Sequence, residues 1–404
     1  YNMAVVINGT TGIDKVQDGS IVTADIADDA VTTDKITGEL GRRNMVGNGA
    51  MQVSQRTTSV SGINNGNARV LDRHTFYAGA SAGTHTMIQS EVVPSGEGFS
   101  HSLKIDCTSA GDYSTAGDNA FLRLAPTEIT DCAKLSYGTS GAKKITVSFW
   151  TRASYTGTFT ALIVSHDTAQ RNIIKTFTIS SADTWQKVVL TYDGDTTITT
   201  GSTYFNGSAK QNMGISLDIW MGGGSNYTGG SQSDGVWRAR SAHNTSILEG
   251  NGTLFGTNTS HDFFITGVQV EQNDTATEFE HRTFGDELAL CQRYCYVIDG
   301  PSTNDLMLFG VGNGTGVATC THMHPVEMRV SPTLTTTANS TFTSYGFGAA
   351  ATGGSITGWA LSTAMTNTLW LYVDVSFTGN TAGTGSMIRA ASGGGAKLTL
   401  QAEH

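Results

Sequence analysis

Only one segment of this chain reads as a helix, and it divides two long stretches of strand signal. Phe263 to Gln272 carries the apolar alternation of a strand; after Gly285, Asp286 to Tyr296 takes on amphipathic helical spacing. Elsewhere Gly punctuates the chain at short intervals, and Thr and Ser dominate the polar positions. With 49 Gly and only 5 Pro, the composition suits many short strands joined by glycine turns. An all-β architecture follows, and 404 residues suffice for two or three domains with real cores.

Lys and Arg number 24 against 34 Asp and Glu, a net charge of −10, and no basic block interleaves with aromatics. Nucleic acid is therefore not an expected partner. The five cysteines, Cys107, Cys132, Cys291, Cys295 and Cys320, form an odd set spread along a large chain, and are expected to be buried free thiols. Cys291 and Cys295 stand four apart, but no second Cys/His pair with zinc spacing accompanies them. No apolar run reaches the length of a membrane span, and no secretory leader is legible, so no membrane insertion is expected. The sequence begins at Tyr1 rather than Met, which leaves processing and a missing upstream segment both open.

Three regions are expected: an N-terminal repeat stalk at 1–40, a large β-sandwich at 41–284, and a short helix with a smaller C-terminal β-sandwich at 285–404. The stalk rests on a ten-residue repeat over residues 8–37, with apolar residues every five positions at Val16, Ile21, Ile26, Val31 and Ile36. That spacing fits neither a helix nor a strand. One copy could not bury such a stripe, whereas three copies wound about an axis could, so a homotrimer is expected; a polar linker is the plainer alternative. In the middle region, strands are expected at 101–107, 120–124, 144–152, 159–166, 173–179, 186–192, 215–221 and 262–271. Ile145, Val147 and Phe149 should share a core face, as should Phe264, Val268 and Val270. In the last region strands are expected at 306–311, 317–322, 333–337, 368–377 and 396–401.

Several segments resemble tailed-bacteriophage tail-fibre and receptor-binding proteins. The repeat is similar to the GSVTTAKIADGAVTTAKI-type segments upstream of their fibre domains. Asn44 to Arg56, followed by Leu71-Asp72-Arg73, resembles NxxxNGxMxxxQRG…LDRW, with Thr57 in place of the common Gly and His74 in place of the usual Trp. Thr277 to Tyr294 resembles the junction xFEHRxFGEELALCQRY, and His324 to Thr333 resembles FPVxMRxxPT with His324 at a normally apolar position. Between these edges, the run ITVSFWTRAS, then ALIVSHD, then the strand after Trp185 resemble jelly-roll carbohydrate-binding modules. The resemblance spans nearly the whole chain. It implies a virion tail-fibre protein that attaches to other virion tail proteins through its N-terminal region and adheres to host surface glycan without catalysis.

No nucleophile elbow, Walker loop or H-E-x-x-H helix is present, so no catalytic residue, cofactor or metal is expected. Gly310 to Gly316 reads as a hairpin turn. His322 and His324 share a strand face, an arrangement that holds iron in some phage fibres, but a strand pair of this kind reads as surface or interface side chains. Scattered carboxylates could pair for glycoside hydrolysis, which keeps a polysaccharide depolymerase as one alternative. A connector or capsid decoration without a ligand is the other.

Glycan recognition needs flat apolar faces for sugar C–H surfaces and planar groups for the hydroxyls. The loop from Gly222 to Asn244 offers both in Asn226, Tyr227, Trp237, Arg238 and Arg240, among small residues that could leave ring faces open. Trp237 could equally begin a strand and pack inside.

Overall fold

The computed structural model describes residues 42–403 except 167–169, 198–204, 206–211, 230–233, 241–245, 249–253, 315, 347–352, 363–366 and 379–382; the repeat at 8–37 lies outside the described residues. The chain divides into Tyr1–Arg43 and Asn44–His404, and only the second unit is considered below.

Its first strands are β1 (Ser59–Ile63), β2 (Gly66–Ala68), β3 (His74–Ala78), β4 (Thr84–Ser90), β5 (Ser102–Ser109), β6 (Asn119–Leu124) and β7 (Ile145–Ala153). They are followed by β8 (Gly157–Ser165), β9 (Arg171–Ile179), β10 (Gln186–Tyr192), β11 (Ile215–Gly223), β12 (Arg238–Ala239) and β13 (Asp262–Glu271). These make two sheets, ordered β1-β4-β5-β13-β7-β10 and β12-β9-β8-β11-β6-β3-β2, in the expected jelly-roll sandwich. Alternation makes the core. Ile145, Val147 and Phe149 of one sheet and Phe159, Ala161, Ile163, Leu217 and Ile219 of the other are all buried in one cluster.

The face expected for the last strand is corrected. Phe263 and Ile265 enter the core with Val268 and Val270, while Phe264 does not. The register slips between Thr266 and Gln269, where Gly267 takes φ +64°, and this bulge switches the parity of the strand. Phe264 instead lies on the outer side, beneath the cationic heads of Lys104 and Arg152.

The expected helix is present as α1 (Phe284–Gln292), with Thr283 as N-cap accepting from the Asp286 N–H. It ends four residues short of Tyr296 because Cys295 begins β14 (Cys295–Gly300), paired with β22 (Ala396–Gln401). Between them run β15 (Leu306–Gly314), β16 (Val317–Met323), β17 (Thr333–Thr336), β18 (Phe342–Gly346), β19 (Gly353–Leu361), β20 (Trp370–Phe377) and β21 (Gly385–Ala390). Where a second sandwich was expected, six strands close into a barrel, β15-β16-β20-β19-β18-β21, beside a three-stranded sheet β14-β22-β17. Its core, from Ile298 to Ala402, is separate from that of the first thirteen strands. All five cysteines are free and buried.

The two segments that bracket the sandwich in sequence meet in space. Asn44 donates its backbone N–H to Glu280 (2.7 Å), Arg282 donates to the carbonyls of Asn44 (2.7 Å) and Val46 (3.3 Å), and the Asn48 N–H donates to Glu287 (2.5 Å). His74 fits this corner because its Nε2–H donates to the Asn48 carbonyl at 2.9 Å. Chain ends more than two hundred residues apart are thus held by charge-assisted hydrogen bonds.

Candidate functional site

The outer face of the seven-stranded sheet carries side chains that the core does not need. In β6 the residues Ala120, Leu122 and Leu124 turn inward, which leaves Phe121 and Arg123 outside; in β11 Leu217, Ile219 and Met221 turn inward, which leaves Ser216, Asp218 and Trp220 outside. Register then aligns them. Tyr77 stands opposite Phe121, and Phe121 opposite Trp220, so three rings from three strands fall in one row. Tyr77 and Phe121 stack with centroids 4.5 Å apart and 7° between planes, Phe121 and Trp220 at 4.7 Å and 5°, and Tyr227 extends the row at 4.9 Å from Trp220. Each stacked pair contributes roughly 0.5–1.5 kcal/mol beyond its buried area.

A charged row lies next to it, one register step along. Arg123 stands opposite Asp218 and binds it through two hydrogen bonds of 2.9 and 2.7 Å. The guanidinium also lies over the rings of Tyr77 and Phe121, 5.6 Å from each centroid. Burial alone would raise the Asp218 carboxyl; the Arg123 guanidinium outweighs it and holds the group below the usual carboxylate range. Ser216 donates to Asp218 (2.8 Å) and accepts from His166 Nε2 (2.8 Å). Because its one proton goes to the carboxylate, Ser216 is a hydrogen-bonded strut and is not poised as a nucleophile against His166. Burial lowers His166 to about 3, so its ring is neutral at ordinary pH.

A strap from the long loop crosses this face. Ile247 and Leu248 are buried against Phe121, Leu162, Val164, Ile174 and Trp220. Thr160 donates to the Ile247 carbonyl at 2.7 Å, and the Leu248 N–H donates to the Tyr227 carbonyl at 2.9 Å. The strap covers the middle of the ring row, where Phe121 is 7% and Trp220 5% exposed. Tyr77, Tyr227, Arg123 and Arg240 remain partly open at its margin.

The residues expected to bind glycan are distributed unevenly around this face. Asn226 and Tyr227 lie in a single helical turn, Ser225–Thr228, at one end of the ring row; Asn226 is exposed, and the Tyr227 hydroxyl donates to the Gly117 carbonyl at 3.2 Å. Arg238 is exposed and stands opposite Asn172. Arg240 donates to Gln170 Oε1 at 3.1 Å, and burial lowers its pKa while Asp218 raises it. Trp237 is half-buried, against the rim of the core rather than inside it. Its ring packs on the sandwich core edge-on to Tyr137 (5.4 Å), and its N–H donates to the Asp193 carbonyl at 2.6 Å. The loop reading missed Tyr77, Phe121, Arg123 and Trp220. The signal for them is the parity of NAFLRL and ISLDIWMGG, where aromatic and charged residues alternate against a purely aliphatic set.

In the barrel, the turn expected over Gly310 to Gly316 is corrected: Gly310 to Gly314 belong to β15 and pair with β16, so the chain reverses only between Gly314 and Val317. His322 stacks on Tyr296 at 5.4 Å, and His324, 3% exposed, lies 6.5 Å from His322 between ring centroids. Among the described residues no three His, Cys, Asp or Glu side chains gather as metal ligands, and no helix is long and apolar enough to cross a membrane.

No protein-family model and no curated protein matches the chain. Solved structures that align with it are carbohydrate-binding modules and a phage tailspike domain. The enzymatically active domain of tailspike protein 4 from bacteriophage CBA120 is 14% identical with a TM-score of 0.28; the alignment covers 57% of this chain and 22% of that one, about a fifth of its length. The family 11 carbohydrate-binding module of Clostridium thermocellum, solved with a β-1,3-1,4-mixed-linked tetrasaccharide, is 7% identical, with 55% and 99% of the chains covered and a TM-score of 0.24. The N-terminal CBM22-1-CBM22-2 tandem domain of Paenibacillus barcinonensis Xyn10C is 8% identical, with 86% and 99% covered and a TM-score of 0.24.

Proposed function

We propose that this chain is a non-catalytic adhesin of a phage tail fibre, holding host surface glycan on the outer face of the seven-stranded sheet. The observation that carries the reading is the ring row Tyr77–Phe121–Trp220–Tyr227 beside the Arg123–Asp218 pair. Aromatic faces take the C–H side of a pyranose, and fixed planar donors and acceptors select among its hydroxyls. The buried rings brace the row, while Tyr77 and Tyr227 at its open ends meet the sugar. Replacing either by alanine should lower affinity for extracted host surface glycan about tenfold, from roughly 1.4 kcal/mol of lost stacking, with the far-ultraviolet circular dichroism unchanged. Unchanged affinity in both variants would remove this face as the site.

The assembled form in this proposal is a homotrimer, attached to other virion tail proteins through the N-terminal region. The five-residue stripe of residues 16–36 supports it. So does the outside of the barrel, where Phe309, Val311 and Met323 are 54, 57 and 58% exposed and Met323 pairs directly with Trp370. One shallow sugar site binds weakly; three on one axis act at high effective concentration. Light scattering should give three times the chain mass, and the same measurement without residues 1–40 shows which region drives assembly. A monomer in both samples contradicts the threefold reading.

A further inference from the structure

The ligand-facing margin of the ring row is cationic in a chain whose net charge is −10. Three guanidiniums, Arg123, Arg238 and Arg240, border the outer sheet face, and Arg123 is committed to Asp218. The other two are not committed to any described carboxylate. Arg238 is exposed on β12, and among the described residues the Arg240 guanidinium donates to a neutral partner, Gln170. Arg240 is half-buried just beyond β12, tied to Gln170 through its backbone N–H (3.0 Å) and its guanidinium (3.1 Å), and Asp218, Arg123, Tyr227 and Tyr77 all act on its charge. Acids also stand around this margin: Asp234 is exposed and accepts from Thr176 at 3.3 Å, and Asp118, beside the Gly117 carbonyl that takes the Tyr227 hydroxyl, accepts from the Ser81 hydroxyl at 2.7 Å. A second, separate observation marks the same face as incompletely satisfied. The buried indole N–H of Trp220, in the middle of the ring row, has no hydrogen-bond partner among the described residues.

A guanidinium presents five N–H donors in a planar fork that matches a carboxylate in bidentate geometry. On an acidic chain a polyanion is repelled over most of the surface, so attraction at one margin also selects where and how it lands. We infer that the glycan held on this face is acidic: a carboxylate-bearing sugar whose ring stacks on Tyr77 or Tyr227 while Arg240, assisted by Arg238, takes the carboxylate. The inference rests on the adhesin reading and supplies its ligand class. It also explains why the loop that forms the strap carries Trp-Arg-Ala-Arg across Trp237 to Arg240: the aromatic residue anchors on the core and the two arginines stand out at the rim.

The test uses the full chain with polygalacturonate and its fully methyl-esterified form, which share ring and linkage and differ only in charge. Binding by interferometry should favour the free acid about tenfold at about 50 mM NaCl, the preference should collapse at about 500 mM, and Arg240→Gln should abolish it while leaving residual binding of the ester. Tyr77→Ala should weaken both polymers equally. Equal binding of the two polymers, or a charge preference that survives in an Arg238→Gln, Arg240→Gln double variant, overturns the inference. Tyr77-dependent binding of the ester alone also overturns it and leaves the adhesin reading standing. Absence of binding to either polymer, or binding indifferent to both Tyr77→Ala and Tyr227→Ala, counts against the inference and the adhesin reading together.

Discussion

Glu403→Ala should destabilise the protein by about 3–5 kcal/mol, the cost of leaving buried charge without its partner. Glu403 lies in the segment after β22 and reaches back into the sandwich, where it accepts from Arg73 (2.8 Å) and Arg56 (3.3 Å). Its side chain is 6% exposed and that of Arg73 4%. Burial by itself would raise the Glu403 carboxyl; the guanidiniums of Arg73 and Arg56 hold it down at about 2. Arg73 also stacks on Tyr294, 3.2 Å from the ring centroid, and donates to the Pro126 carbonyl. Arg56 reaches Asp72 at 3.0 Å, and Glu128 takes Arg293 (2.6 and 2.8 Å) and the Tyr294 hydroxyl (2.7 Å). Removing one member strands several others with no water to replace it. For contrast, Asp106→Ala breaks a half-exposed surface pair with Lys104 (3.1 Å) and should cost under about 1 kcal/mol. Urea denaturation measures both; similar midpoints for the two variants would show that this seam does not hold the barrel to the sandwich.

Acid should weaken the fold well before the carboxylates of the surface titrate. Burial lowers His74, His85 and His324 to about 4 and His166 to about 3, from an ordinary value of 6.5. Each binds its proton more readily when unfolded, so its contribution is intact above pH 6.5 and is lost as pH falls toward 4. A shift of this size is on the order of 3 kcal/mol per histidine. Asp72 acts with the opposite sign. Burial raises it to about 6 despite Arg56, so it takes up its proton in the folded state first and returns stability as pH falls from 6 toward 3.8. Four histidines against one aspartate leave a net loss, on the order of several kcal/mol between pH 6.5 and 4. Below that, Glu403 adds a further loss as it titrates toward 2. Urea midpoints at pH 7, 5.5 and 4 should fall steadily, and a flat profile would mean that these rings open to water without cost.

Strands with an unbroken aliphatic alternation were legible: all eight expected in the sandwich are present within a few residues. β4 was not, because THTMIQS fills a core position with His85, a residue that burial must keep neutral. β19 and β21 were hidden by Gly and by short length. The helix end was misplaced since Tyr294 and Cys295 continue the i, i+4 spacing of Leu290 and Cys291 but are drawn into the polar seam and the β14–β22 ladder. Parity in β13 failed at a bulge that only pairing with β7 creates. For the proposed site, the sequence points to Tyr227 and Arg240 through the composition of their loop. The ring row was not legible, because it depends on Tyr77, Phe121 and Trp220 falling opposite one another across three strands separated in sequence.

Oxidative footprinting with and without bound surface glycan would locate the proposed glycan site on the outer face of the seven-stranded sheet. Protection of Tyr77 and Tyr227 is the predicted result, with Phe309, Met323 and Trp370 on the barrel oxidised equally in both samples. Protection confined to the barrel, with Tyr77 and Tyr227 unchanged, would contradict that placement.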